Sequence, residues 1–459
     1  MILGDVTTCH PSWLKKKESW CVIRAIIDND ARKYLPIVDT SDPERCRQYK
    51  EAAILTNFTK LTKDGLRGLV FQKDPNIKLP SKLEYLNEDA TGEGLALDSL
   101  AMKILDEVLT TGNAFCLVDY PAQTETLSAS QKESGEYLAR IKMYAVEKVT
   151  NFKCRYVGSK YVPYLIVLQE AIIDDEIDIF CWQDKLQYRI LMLDEKGFYC
   201  QMVVDEGGGL VKEVLYPRDA NGNYLKFIPF KFIGADNNDY KYDDSPLHSL
   251  ALLNLGHYRN SADQEESGFI CGQPFLQICV GDTTIGEFNE GNPNGVKYGA
   301  RGALLTASGG SASLLQANPN TMIGNMMQDK LKDAAAIGAR LIAPAGGRET
   351  AEAARIRYGS QNSSLHIIVR NIDEALESLC EWVALFEGAD SEEIEVDLNK
   401  EFYDDTIDPN LLMAHIQLLD RGVLAATDIR DYLKKGGALS LDRTNEMIDS
   451  EAEIVDPLE

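Results

Sequence analysis

Histidine is scarce in this sequence, with five in 459 residues, and its ten cysteines form no Cys-x-x-Cys pair. That spacing argues against a zinc cluster and a disulfide framework, and scattered reduced thiols are the expectation. No stretch approaches eighteen uncharged apolar residues, so no membrane span is expected. The N-terminal "MILGDVTTCHPSWLKKKESW" lacks a basic start followed by an apolar run, so no signal peptide is read there. Enzyme signatures are missing too. There is no GxxxxGK[ST], no GxGxxG between a strand and a helix, no HExxH and no GxSxG. Positive charge is in deficit: 47 Lys and Arg against 72 Asp and Glu give a net −25, which argues against a general basic face wrapping nucleic acid.

What is present is a globular composition, 44% hydrophobic and 26% charged, in a chain long enough for two or more domains. Residues 1–71 read as largely helical, clearest in "SDPERCRQYKEAAILTNFTKLTKDGLRGLVF". There Ser41 or Asp42 can cap, Pro43 suits the first turn, and Ala52, Ala53, Leu55 and Phe58 recur at helical spacing. "LDSLAMKILDEVLTTG" (97–112) predicts an amphipathic helix ended by Gly112, and "NAFCLVDYP" a buried strand. From 138 to 234 the chain is strand-rich and reads as one mostly antiparallel sheet, with "RIKMYAV", "YLIVLQEAII", "DIFCWQ", "YRILMLD", "FYCQMVV" and "FIPFKFIG" as strands and "DANGNY" as a hairpin turn.

The character then changes. "SPLHSLALLNLGHYRNSADQEESGFICG" (245–272) predicts a helix capped by Ser245 with Pro246 at its first position. At about 1.5 Å per residue it spans roughly 38 Å. Gly281–Leu315, "GDTTIGEFNEGNPNGVKYGARGALLTASGGSASLL", is rich in Gly, Asn, Ser and Thr, with strands expected at "PFLQICVG" and "GALLT". A second helix is expected over 318–342, a break at "APAGGRET", and a helix of more than thirty residues over 350–388. The tail from Glu387 carries 20 acidic and 6 basic residues, a net −14, with further helices. His257 on the first long helix reads as packing or surface rather than catalysis. "IIDDEID" (172–178) reads as a solvated strand edge rather than a cation site. Two long helices flanking a small Gly-rich tip look like stalks displaying a subdomain.

That order resembles the portal, or head-to-tail connector, protein of tailed bacteriophages. The resemblance is carried by "GLRGLVFQKDPNIKLP" (65–80), "EVLTTGNAFCLVDYP" (107–121), 245–278, and "MMQDKLKDAAAIGARLIAP" followed by "GGRETAEAARIRYGSQNSSL". It implies an α+β portal fold with a wing, long stem helices, a small β clip, a tunnel loop and a helical crown. On this sequence those parts fall at 1–244 (wing), 245–270 (first stem helix), 271–317 (clip), 318–340 (second stem helix), 341–352 (tunnel loop), 353–388 (long wing helix) and 389–459 (crown).

The resemblance further implies a structural, non-enzymatic ring of about twelve subunits at a capsid vertex of the virion, assembled in the host cytoplasm. The implied partners are duplex DNA passing without sequence specificity, terminase, head-completion or tail adaptors and the major capsid protein, with no membrane, cofactor or metal. Stem residues would be His257, Arg259, Lys330 and Lys332. Arg340, Gly346, Gly347, Arg348 and Arg355 would lie at the channel and tunnel loop, and Asn292, Asn294, Lys297, Tyr298 and Arg301 at the adaptor-docking clip. The cations Lys330, Lys332, Arg340, Arg355 and Arg357 read first as helix solubility and interchain salt bridges. Arg348, in flexible polar "PAGGRET", is the one most expected to face DNA. Twelve copies at −25 carry a formal −300, an acidic wall that would let DNA slide. The alternatives are a metal-dependent nucleic-acid enzyme of a packaging apparatus, using Asp174, Asp175 and Glu176, or a capsid or scaffold protein.

Overall fold

The computed structural model describes residues 4–120, 137–173, 184–272, 275–281, 284–291, 309–315, 321–338 and 351–400, with scattered positions beyond them. By its internal contacts the chain divides into two units, Met1–Gly68 with Pro75–Asp397, and Leu69–Asp74 with Leu398–Glu459.

The first unit begins with helix α1 (Pro11–Ile27), whose first turn is capped by the His10 side chain accepting from the Ser12 amide. Helix α2 (Pro43–Ala52) is capped by Asp42, which accepts from the Arg45 amide. The helical periodicity expected through Phe58 does not hold across 53–57. Ala53 turns extended, and Asn57 starts a new helix, α3 (Phe58–Val70), by accepting from the Lys60 amide. The reason is long-range: the Ile54 main chain exchanges two hydrogen bonds of 2.8 Å with the Ser261 hydroxyl, and the helical ladder cannot use those groups as well.

Short strand β1 (Asn76–Lys78) precedes helix α4 (Leu97–Thr111), which ends at Gly112 with φ +92°. A Cβ there would stand 2.8 Å from the Asp243 carbonyl, so glycine is required twice over, by backbone conformation and by space. The strands β2 (Asn113–Asp119), β3 (Arg140–Tyr144), β4 (Val149–Val157), β5 (Lys160–Ile173), β6 (Asp184–Leu193), β7 (Tyr199–Asp205), β8 (Leu210–Leu215) and β9 (Phe230–Gly234) follow. They make two sheets rather than the single one expected. One is three-stranded in the order β3-β2-β9, the other five-stranded in the order β4-β5-β6-β7-β8, and every pairing is antiparallel. The "DIFCWQ" strand lies outside the described residues. "DANGNY" does close a turn, with Arg218 bridging Tyr224 and Asp219 accepting from the amides of Asn221 and Asn223.

An aromatic seam joins the two sheets. Phe232 on β9 meets Phe115 on β2 at 5.0 Å and Phe152 on β4 at 5.1 Å, both edge-on. A half-buried polar network spans the same junction. Arg189 on β6 donates to Glu170 on β5 at 2.8 Å, and Tyr144 on β3 donates to the same carboxylate at 2.8 Å. Burial opposes ionisation of Glu170, but Arg189, Tyr144 and Gln187 together hold it below the usual carboxylate range.

The chain continues through helix α5 (His248–Gly272), strand β10 (Phe275–Cys279), the short helix α6 (Ile285–Gly291), strand β11 (Ser311–Leu315), helix α7 (Thr321–Ile337) and the long helix α8 (Ala351–Glu387). Helix α8 lays Val369, Ile372, Leu376, Leu379 and Val383 into the core, and the three-stranded sheet and α4 pack against it. Strand β12 (Glu395–Asp397) then pairs antiparallel with β1. In the second unit, Asn399 donates to the Leu69 carbonyl at 3.1 Å, and helix α9 (Ala426–Lys435) starts with Asp428 accepting from the Ala425 amide at 2.9 Å.

Candidate functional site

The two expected stalks are α5 and α7, which pack side by side. The start of α5 is set by sequence: Pro246 cannot donate, and the Ser245 hydroxyl accepts from the Leu247 amide at 3.2 Å. The helix is rooted in the layer of α1, α2 and α3. Ala251, Leu255, Tyr258 and Ala262 join Ile23, Ile26 and Tyr49 in one core cluster. Asn254 is fully buried, and its Oδ1 accepts from both the amide and the hydroxyl of Thr59 while its Nδ2 donates to the Thr56 carbonyl. Almost two turns further on, at about 3.6 residues per turn, Ser261 makes its two bonds to Ile54. Asp263 accepts from the Tyr49 hydroxyl at 2.7 Å, and Glu266 pairs with Arg45 at 2.8 Å.

Beyond Glu266 the support thins, and Phe269 is 68% exposed. The tip at the end of α5 is a two-stranded ribbon in which Phe275 faces Leu315 and Cys279 faces Ser311. The expected strand "GALLT" lies outside the described residues, and the partner of β10 is "SASLL". Helix α6 carries a capping box: the Thr284 amide donates to Glu287, and the Glu287 amide donates to the Thr284 hydroxyl.

Helix α7 is much more exposed than α5. Ala334 is its one buried residue, while Met326, Leu331 and Ile337 stand exposed. Its tie to α5 is made by Lys330, whose stem passes over Gly256 and whose ammonium donates to Asn260 Oδ1.

The four expected stem residues therefore sit in four different settings. His257 is buried edge-on against Phe58 at 5.8 Å, and its Nδ1 has no hydrogen-bond partner. Burial and then the Lys330 charge push its pKa below the ordinary histidine value. Arg259 donates through Nε and Nη2 to the Tyr34 carbonyl at 3.2 Å, tying α5 to the segment after α1. Lys330 holds α7 to α5. Lys332 is exposed and pairs with Asp329 one turn away at 3.1 Å.

Arg340, Gly346, Gly347 and Arg348 lie outside the described residues, as do Asn292, Asn294, Lys297, Tyr298, Arg301 and the acidic run Asp174, Asp175 and Glu176. The helical backbone of α8 includes Arg355 and Arg357, whose side chains are outside the described set. Sequence reasoning missed Asn254, Gly256 and Ser261. A buried Asn in an apolar stripe and a Gly inside a long helix were the available signals, and each marks a close contact with a distant segment. Among the described residues no group of three His, Cys, Asp or Glu side chains is placed to hold a metal, and no helix is long and apolar enough to cross a membrane.

Comparison with known proteins adds the following. Residues 246–387 match the model of a domain of unknown function, DUF4055, a span that opens at the Pro246 turn before α5 and closes on Glu387, the last residue of α8. No curated protein matches the chain. One similar solved structure is a chain of the neck of a native GTA particle computed with C12 symmetry, at 13% identity and TM-score 0.42, covering 85% of this chain and 93% of that one. A chain from the virion of a native gene transfer agent particle stands at 13% identity and TM-score 0.41 over the same shares. An HK97 family phage portal protein from Corynebacterium diphtheriae stands at 10% identity and TM-score 0.35, covering 78% of this chain and 99% of that one. At these scores the likenesses assign no role to any residue; the solved structures to which this chain is similar include a phage portal protein and chains of GTA particles.

Proposed function

We propose that this chain is a portal subunit, the structural head-to-tail connector of a phage-like particle. About twelve copies close a ring at one capsid vertex, and duplex DNA passes through its channel during packaging and ejection. In this reading residues 1–244 with 353–388 form the wing, 245–270 and 318–340 the stem, 271–317 the clip, 341–352 the tunnel loop and 389–459 the crown. The clip docks tail adaptors after terminase has left, and the outer wing meets the major capsid protein.

The observation that carries the reading is α5 and α7 side by side, bearing the β10–β11 ribbon at their outer ends, with α5 rooted by buried polar bonds and α7 almost bare. A ring needs one surface on each side of every subunit and a rotation that closes. Two long columns in lateral contact supply such surfaces, and a column with a single buried residue is poorly explained in an isolated chain. The charge supports a conduit rather than a clamp. Each phosphate neutralised by Lys or Arg adds salt-sensitive affinity, and a chain at −25 has few cations to spare for that.

The test is the mass and symmetry of the purified full-length protein, by native mass spectrometry and negative-stain electron microscopy. A ring with a central hole is expected. A stable monomer at micromolar concentration overturns the reading, and so does a closed shell.

A further inference from the structure

The hairpin of β4 and β5 runs on past the rest of its sheet as a free arm. We propose that this arm docks on an acidic ledge of the neighbouring copy of this chain, formed by the turn between α8 and β12. The inference rests on the ring reading above and supplies one pair of surfaces that joins its subunits.

The arm is defined by register. Strand β5 pairs with β6 from Leu165 onward, so Lys160–Tyr164 have β4 on one side and no β6 partner on the other. At about 3.3 Å per residue that is roughly 16 Å of two-stranded ribbon. Such a ribbon is marginal in water without a third strand or a covering face. Tyr156 and Tyr161 stand opposite each other with their rings 4.9 Å apart, and Tyr240 packs against Tyr161 at 6.2 Å. Even so, Tyr156 is 74% exposed and Val157, at the tip, 53%. Tyrosine and arginine held out in this way are residue types that interfaces favour.

Charge identifies the occupant. Residues 148–169 hold four Lys or Arg and no Asp or Glu, in a chain of net −25, so the rest of every copy is more acidic still. Lys153, Arg155 and Val157 alternate with Tyr156 along β4 and share the arm's other face with Lys160, the partner of Val157. Arg155 lies over the Tyr164 ring at 5.1 Å, and among the described residues none of the three cations pairs with a carboxylate. Asp239, next to Tyr240 in the chain, is already taken by Lys241.

The ledge is the counterpart. From Glu387 to Asp397 the sequence holds six acids and no base. Its course is fixed, because Asp390 accepts from the Glu392 amide at 3.0 Å and β12 pairs with β1. Lys78 is taken up by Glu395, and Lys82 by the Gly388 carbonyl. Asp390, Glu392 and Glu393 are exposed and pair with no cation among the described residues. Three carboxylates thus answer three cations, the kind of match that fixes register between partners. Phosphate backbones offer anions too, but they give the exposed Tyr156 and Val157 no apolar surface to cover.

Placement separates the two surfaces within one chain. Strand β4 is the first and β8 the last of the five-stranded sheet. The arm extends the β4 edge. The ledge is tied in beside the other edge, where Ala220, in the turn after β8, donates to the Leu385 carbonyl at 3.1 Å. An arm passing from each copy to the ledge of the next links them in the head-to-tail sense that a ring requires.

The experiment co-assembles unlabelled and nitrogen-15-labelled full-length protein and treats it with a water-soluble carbodiimide, which joins amines to carboxylates in contact. Mass spectrometry maps the links while electron microscopy counts rings. Mixed-isotope links from Lys153 or Lys160 to Asp390, Glu392 or Glu393 are expected. Rings in which these lysines link elsewhere, or not at all, overturn this inference and leave the ring reading standing. Protein that stays monomeric overturns both. A second measurement combines Lys153→Glu with Arg155→Glu. Because the loss recurs at every interface, the ring fraction is expected to fall at least tenfold with an unchanged far-ultraviolet spectrum, and adding Glu392→Lys and Glu393→Lys is expected to restore it. A full ring yield from the arm variant overturns the proposal. If that variant keeps its rings and loses retention of duplex DNA in a filter assay, nucleic acid is the occupant and the proposal falls.

Discussion

The Lys330 side chain crosses α5 directly over Gly256: a methyl group added at residue 256 would stand 3.1 Å from Lys330 Cε, and the ammonium reaches on to Asn260. The lysine that sequence reading set in the stem thus clamps one stalk helix to the other. Gly256→Ala meets only the flexible stem of that lysine, while it regains about 0.5–1 kcal/mol of helix stability. It is expected to be neutral or slightly stabilising in urea unfolding. Gly256→Leu forces the helices apart and lowers the midpoint, and Lys330→Met, which keeps the stem, costs about 1 kcal/mol through the lost hydrogen bond. A Lys330→Met midpoint equal to the parent's removes the clamp.

His257 makes stability depend on pH. Its pKa is depressed in the folded chain by burial and by Lys330, so below the ordinary histidine value of about 6.5 the unfolded chain binds a proton that the folded chain resists. Stability therefore falls as pH drops through that window and is recovered above it. Burial moves His10, stacked on Phe152, in the same direction. His257→Gln is expected to remove part, not all, of the difference in melting temperature between about pH 7 and about pH 5. An unchanged difference would show that His257 titrates normally.

Arg24 on α1 is shared between two carboxylates, Glu107 of α4 and Glu147. Glu107 is the more enclosed, and it also accepts from the Thr111 hydroxyl and the Val146 amide. Arg24→Met would strand both acids, at a cost of about 3–5 kcal/mol. Because stranded carboxylates can escape by taking up a proton, the deficit should shrink as pH falls. A denaturant series at neutral and acid pH checks both the size and the trend.

Arg348 belongs to the segment joining α7 and α8, and the prediction for it comes from sequence. In particles assembled with Arg348→Ala, rings are expected at normal yield and encapsidated DNA below normal. Normal genome content per particle, measured by quantitative amplification after nuclease treatment, would contradict a DNA-facing role.

Local signals carried much of this architecture. The apolar stripe and Gly112 locate α4 to within a residue. Ser245, Pro246 and the long helical patterns locate α5, α7 and α8 to within a few residues. What local pattern could not carry was decided by distant partners. Ala52, Ala53, Leu55 and Phe58 keep a helical rhythm, yet the chain breaks there because Ser261, 207 positions from Ile54, takes that residue's main-chain groups. Strand β4 is rich in polar side chains, and β8 is an exposed edge, so neither alternates strongly enough to stand out before its neighbour is known. For His257 the sequence left packing and surface both open. Its burial depends on Phe58, which the sequence leaves almost two hundred positions away.

The bonds of Asn254 and Ser261 set the order in which α5 can open. Its inner half is nailed to backbone that belongs to other segments, whereas past the Arg45–Glu266 pair neither Gly268 nor Gly272 has a neighbour within 4 Å of where a side chain would begin. In the isolated subunit, amide hydrogens should exchange quickly at the outer end and increasingly slowly toward Asn254, with a step at Ser261. Such a column frays from its free end, so a load applied at the ribbon would be felt at the root only after the outer turns had given way.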